Sequence, residues 1–108
     1  IKHLYDGEGP QGCIATDRIA VDGALVGYCY RETPEAGDKD WDSGWRFFAG
    51  DEDGAYMSDP DRSAVYALNT VCNYDPDIIP LLDSEPGTAW SRGEDGVFRP
   101  ELYGGSDS

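Results

Sequence analysis

The sequence predicts a small α+β domain, a mostly antiparallel twisted sheet of about five strands packed against one or two short helices. Three observations carry that expectation. Short runs alternate with a period of two, above all Tyr28-Cys29-Tyr30 and Trp45-Arg46-Phe47-Phe48. Glycine, proline, asparagine and aspartate recur between those runs and keep them short. An apolar stripe at helical spacing, Val65, Leu68, Val71 and Cys72, stands in the second half. At 108 residues the chain has the size of one domain, able to bury roughly two-thirds of its unfolded surface around a single core.

Residues 1–11 hold Gly7, Gly9 and Pro10, a density of breakers that reads as an irregular lead-in. Residues 12–100 read as the domain itself and 101–108 as a flexible tail. Cys13 to Thr16 is expected to form a short strand, Asp17 to Ala20 a helical turn, and Val21-Asp22-Gly23 a tight turn. Ala24 to Glu32 reads as a central strand with Val26, Tyr28 and Tyr30 on one face and Leu25, Gly27 and Cys29 on the other. Thr33 to Asp42, with Pro34, Gly37 and several acids, is an exposed connection. Gly44 to Ala49 is the next strand, with Trp45 and Phe47 on one face and Arg46 and Phe48 on the other. Because that connection is short for a crossover containing a helix, Tyr28-Cys29-Tyr30 and Trp45-Arg46-Phe47 are expected to pair antiparallel.

Pro60 blocks an early helix, and Asp61 or Ser63 is placed to cap the next one. The stripe from Val65 to Cys72 then predicts a helix of about ten residues packed on the sheet. It should stop near Asn73, because Pro76 disfavours helical geometry at Asp75. Asp77 to Leu82 reads as a second short turn broken by Pro80. Gly87 to Arg92, the turn Gly93-Glu94-Asp95-Gly96, and Val97 to Arg99 form a hairpin signal.

Asp and Glu number 22 against 8 Lys and Arg, a formal charge of −14. Residues 1–54 carry 12 acids and 5 bases and residues 55–108 carry 10 and 3, so each half contributes −7 and the acidity belongs to the whole body. Such a surface repels nucleic-acid phosphate and anionic lipid, keeps the chain soluble, and speeds encounter with a basic partner. Hydrophobic residues at 39% are too many for a disordered chain. Cys13, Cys29 and Cys72 are odd in number, lack a C-x-x-C pair and sit in apolar contexts. They fit buried free thiols in a reducing cytoplasm. No signal-peptide pattern opens the chain, and no apolar run approaches the ~20 residues that span a bilayer. The missing initiator Met and the Gly/Ser/Asp ending point to part of a longer product having been cut away.

For catalysis the inventory is thin. His3 is the single histidine and lies in the lead-in, so neither a Ser/His/Asp nor a Cys/His arrangement is expected, and no zinc ligand set is present. Gly93 to Gly96 lacks the lysine and following helix of a phosphate loop. Asp51, Glu52, Asp53, Asp59 and Asp61 invite a calcium reading, but the fifth position of an EF-hand register is Ala55 and the twelfth is Arg62. Neither metal nor cofactor is expected.

Three stretches together have a likeness. Val26-Gly27-Tyr28-Cys29-Tyr30-Arg31-Glu32, Asp42-Ser43-Gly44-Trp45-Arg46-Phe47-Phe48-Ala49-Gly50-Asp51-Glu52 and Leu68-Asn69-Thr70-Val71-Cys72-Asn73-Tyr74-Asp75-Pro76 resemble the Imm33 immunity-protein family, also called DUF2185, in order and spacing across roughly residues 12–99. Cys29 stands where Met is common there and Ala49 where Ser is common, both conservative for packing. The resemblance implies an immunity protein of a bacterial polymorphic toxin system, which binds and neutralises a cognate toxin, and it brings no catalytic residue with it.

The residues expected to meet such a partner are Asp51, Glu52, Asp53, Tyr56, Asp59, Asp61, Tyr74 and Asp75, with Tyr66 and Trp90 as further aromatic anchors. Against this stands a structural reading of the same residues, a solvated acidic turn and a polar corner where Asn69, Asn73, Tyr74 and Asp75 satisfy a helix end before Pro76. Arg31, Glu32, Asp42 and Arg46 are expected to form an ion-pair network that fixes strand register, and Trp45 belongs to the core. Two other function classes stay open. One is a ligand-binding or regulatory accessory domain with a pocket near Trp45 and Tyr74; the other is a hydrolase using carboxylates.

Overall fold

The computed structural model describes residues 3–5, 7, 10–32 and 41–101. The expected lead-in lies partly outside these residues, and the Thr33 to Asp42 connection and the 101–108 tail almost wholly so. The elements in order are β1 (Gly12–Thr16), α1 (Asp17–Ala20), β2 (Tyr28–Arg31), β3 (Asp42–Phe48), α2 (Gly54–Met57), a 3-10 turn (Pro60–Arg62), β4 (Ser63–Ala67), α3 (Leu68–Tyr74), a second 3-10 turn (Pro76–Leu81), β5 (Ala89–Arg92) and β6 (Phe98–Glu101). They form one α+β layer pair around a six-stranded sheet of order β4-β1-β3-β2-β5-β6. All neighbours run antiparallel except β1 and β3.

The pairing of β2 with β3 is the expected one, with Tyr28 opposite Phe48, Cys29 opposite Phe47, Tyr30 opposite Arg46 and Arg31 opposite Trp45. Opposed residues share a face, so one face carries Cys29, Phe47 and Trp45 and the other carries Tyr28, Tyr30, Arg46 and Phe48. On the first face Trp45 and Phe47 stack at 5.7 Å and are fully buried. Cys13 and Ala15 of β1, Ile19 of α1, Leu68, Val71 and Cys72 of α3, and Ile78, Leu81 and Leu82 complete this core. Helices α1 and α3 and the second 3-10 turn therefore cover one face of the sheet.

Two elements differ from the sequence reading. Val65 was expected to open a ten-residue helix; instead Ser63–Ala67 is a strand beside β1, and the helix begins at Leu68 and runs seven residues. The β1 edge supplies a ladder from Gly12 opposite Ala67 to Thr16 opposite Ser63, which Val65 and Tyr66 suit better than a helix does. Val65 consequently lies 54% exposed on the far face and is no part of the stripe. The central strand also starts later than expected, at Tyr28, so Val26 precedes the pleat and is buried on the helical side with Cys29.

Two glycines permit close approaches here. A Cβ on Gly27 would stand 2.1 Å from the Ala49 carbonyl oxygen, and Gly27 is where the chain meets both β3 and β5, donating to Phe48 O and accepting from Arg92 N–H. Gly44, inside β3, has φ +93 and would place a Cβ 2.6 Å from Glu32 O.

The expected network of four charged residues divides between the two faces. Arg46 pairs with Asp42 at 2.8 Å and Glu32 at 3.0 Å. Arg31 alternates to the other face, where its Nε donates to Ser43 O (2.9 Å), an Nη to Ser84 O (2.6 Å), and its guanidinium lies over Trp45. The polar corner splits likewise: Asn69 Oδ1 accepts from Leu4 and Tyr5 N–H and holds the lead-in, while Asn73 donates to Asn69 O.

Asp75, expected on the partner surface, is 1% exposed. Its carboxylate accepts from Val26 N–H (2.9 Å) and Asp77 N–H (3.1 Å) and pairs with Arg92 at 3.2 Å. The short polar sequence that suggested exposure is the requirement of a helix end packed against the sheet. Removing one member of a buried pair leaves the other charge uncompensated. Asp75→Asn is thus expected to lower the free energy of unfolding by about 3 kcal/mol, read as a lower urea midpoint at unchanged slope. A loss under about 1 kcal/mol would mean that Asp77, also 3.1 Å from Arg92, suffices alone.

Candidate functional site

The acidic loop after β3 uses most of its carboxylates to build itself. Asp51 takes a two-pronged bond from Arg18, at 3.0 and 2.7 Å. Asp53 caps α2 by accepting from Tyr56 N–H (2.8 Å), and Asp59 caps the 3-10 turn by accepting from Asp61 N–H (2.9 Å) while pairing with Arg62 at 3.5 Å. Arg62 also lies over the Tyr56 ring. Asp51, Asp53 and Asp61 remain exposed; Glu52, Tyr56 and Asp59 are half-buried. These six share one loop, whereas Tyr74, 42% exposed, stands at the C-terminal end of α3 on the helical side of the sheet. Trp45 is sealed in the core, so the pocket expected around Trp45 and Tyr74 has no open wall from Trp45. Tyr66 and Trp90 are partly buried against the core.

Glu52 differs from its neighbours. Its Oε2 accepts from the Thr16 hydroxyl (2.6 Å) and Ala49 N–H (2.7 Å), and its Oε1 from Gly50 N–H (2.8 Å). Burial opposes its charge, but these bonds outweigh burial and hold the carboxyl below its ordinary range. Its described donors are all neutral groups.

Glu52 borders a groove on the sheet face that the core helices leave uncovered. Tyr28, Tyr30, Phe48, Gly50, Glu52 and Met57 line about 290 Å³ there. Tyr30 and Phe48 lie 5.8 Å apart and within 14° of parallel, and Tyr28 stands 6.1 Å from Phe48 and 6.0 Å from Tyr30. Met57, at the end of α2, is 46% exposed and forms one lip. Sequence reasoning passed over Tyr28, Tyr30, Phe48 and Met57. The available signal was that β2 and β3 are apolar on both faces while the sequence offers too little helix to cover more than one.

The chemistry of the remaining groups is quiet. Burial pushes the Cys13 and Cys29 thiols up to about 12 and Cys72 up to about 11, so they are protonated at neutral pH. Among the described residues no group of three or more His, Cys, Asp and Glu is arranged to hold a metal ion, and no helix is long and apolar enough to cross a membrane.

Compared with known families, residues 13–101 match the model described as Immunity protein Imm33 domain. No curated protein and no solved structure matches the chain.

The Glu52 turn carries a pH signature. With its folded-state pKa lowered, the stability it contributes is present above the unfolded-state value of 4.5 and is lost as pH falls through the lower folded value. Glu52→Gln is expected to cost about 1–2 kcal/mol at neutral pH, and urea titrations on both proteins should show the difference closing as pH is lowered from neutral to below 4.5 and through the lowered folded value. A gap that stays constant across that range would exclude Glu52 ionisation as its source.

Proposed function

The chain belongs to the Imm33 immunity-protein family, and on that premise we propose that it binds and neutralises a cognate toxin in a bacterial cytoplasm. The observation that carries this reading is the family match, which spans the sheet and its helices from β1 to β6. The immunity-protein family is generally non-enzymatic, and inhibition here proceeds by occlusion. The formal charge of −14 supports a basic partner drawn in by long-range attraction. Exposed Asp53 and Asp61 supply part of the near-surface field, with Tyr56 beside them as a contact ring.

Co-expression with the product of the gene immediately upstream tests this reading. Growth arrest by that product should be relieved by this chain, and the two should co-purify; if no neighbouring product binds, the immunity reading falls. Steering makes a kinetic prediction as well. Raising salt from about 50 to about 300 mM should slow association at least about tenfold while dissociation changes little. Asp61→Asn should give a smaller slowing of the same kind, measured by stopped-flow or surface kinetics. An on-rate indifferent to salt would remove acidic steering from the mechanism.

A further inference from the structure

We infer that the groove on the sheet face opposite the core helices receives a cationic side chain, lysine or arginine, from the bound toxin. This rests on the immunity reading and adds the contact site and its chemistry. The lining is of the kind that recognises organic cations: three aromatic rings, Tyr28, Tyr30 and Phe48, with a carboxylate, Glu52, at the border. Aromatic faces carry partial negative charge, and their attraction for a cation grows where water is displaced.

The local charge balance favours the same occupant. Register puts Arg46 and Arg99 on this face. Each is already engaged, Arg46 by Asp42 and Glu32 and Arg99 by Asp95 at 2.7 Å. Glu52 is held by the Thr16 hydroxyl and two backbone N–H groups, donors that keep it ionised without cancelling its charge. Asp51, Asp59 and Asp75 each face an arginine of this chain; Glu52, held by neutral donors, keeps its net charge at the border of the groove. A volume of about 290 Å³ suits one long side chain and lies at the lower edge of the ~300–1,000 Å³ typical of small-molecule sites. Met57 adds a flexible, polarizable lip that can close over an alkyl stem. The chain has 8 cationic residues against 22 acids, so the complementary charge comes from the partner.

The experiment is an NMR titration of the whole chain with N-acetyl-arginine amide, using N-acetyl-citrulline amide as a neutral control of nearly the same shape. Saturable shifts are expected at Tyr28, Tyr30, Phe48 and the Met57 methyl, with arginine at least about tenfold tighter than citrulline. Tyr30→Ser and Phe48→Leu, each checked for an intact spectrum, should weaken arginine binding several-fold, and either variant suffices if the other fails to fold. Equal responses to the two amides, or shifts confined to the acidic loop, would overturn the proposal. In a second arm, isothermal titration of the neighbouring-gene toxin should show Kd raised at least about tenfold by Phe48→Leu. Toxin bound equally by wild type and variant would sink the groove and leave the immunity reading standing. Arginine amide filling the groove of a wild-type protein that binds no neighbouring product would instead sink the immunity reading, and the toxin as occupant with it.

Discussion

One buried carboxylate joins four parts of this fold. Asp75 ends α3, opens the following 3-10 turn by accepting from Asp77 N–H, receives Val26 N–H from the segment entering β2, and pairs with Arg92 of β5. A charge this deep is stable only when its oxygens are satisfied and a counter-charge is fixed nearby, and both conditions hold. Arg92 is positioned in turn by packing over Phe98 of β6 at 4.4 Å. The consequence is geometric. Helix, entering loop and the two strands at the β6 end of the sheet can occupy only the arrangement in which these bonds close together, which fixes the side of the sheet on which the helices lie.

That placement creates the asymmetry from which the candidate site arises. With α1, α3 and the second 3-10 turn packed on Trp45 and Phe47, no core helix among the described residues lies on the opposite face. Strands β2 and β3 nevertheless carry large rings there. Bordered by Met57 and the Glu52 turn, those rings line a groove instead of a second core. An antiparallel sheet tolerates one wet face, but its wet face is ordinarily polar, and an aromatic one marks a surface with a use.

Where bonds are local, the sequence made them legible. The β2–β3 pairing, the β5–β6 hairpin and the inward set Trp45, Phe47, Leu68 and Val71 come from period and turn chemistry, and the structure agrees. What could not be read depends on partners distant in the chain. Ser63–Ala67 has a pattern compatible with a helix; only the free edge of β1, some fifty positions away, makes it a strand. Arg31 and Arg46 look equivalent in sequence, yet strand alternation sends one over Trp45 to the Ser43 and Ser84 carbonyls and the other to carboxylates on the opposite face. Asp75 reads as a surface acid because its counter-ion, Arg92, lies 17 positions on. The groove was invisible for the same reason, since its walls come from two strands and the end of a four-residue helix.

The acidity of the chain therefore has two meanings that composition alone merges. One set of carboxylates is internal chemistry: Asp51 with Arg18, Asp42 with Arg46, Asp75 with Arg92, and Asp53 and Asp59 as caps. Their charges are largely answered by this chain or committed to its turns, so they add little short-range specificity. The acids in excess of the 8 Lys and Arg produce the net negative field, which acts at a distance and favours any basic protein equally. Discrimination among basic partners needs charge coupled to shape at close range. Glu52 meets that requirement because neutral donors fix its carboxylate beside three rings whose spacing is set by the β2–β3 register. On the proposed reading, a partner attracted by the field is then sorted by whether it can place a long cationic side chain in that groove.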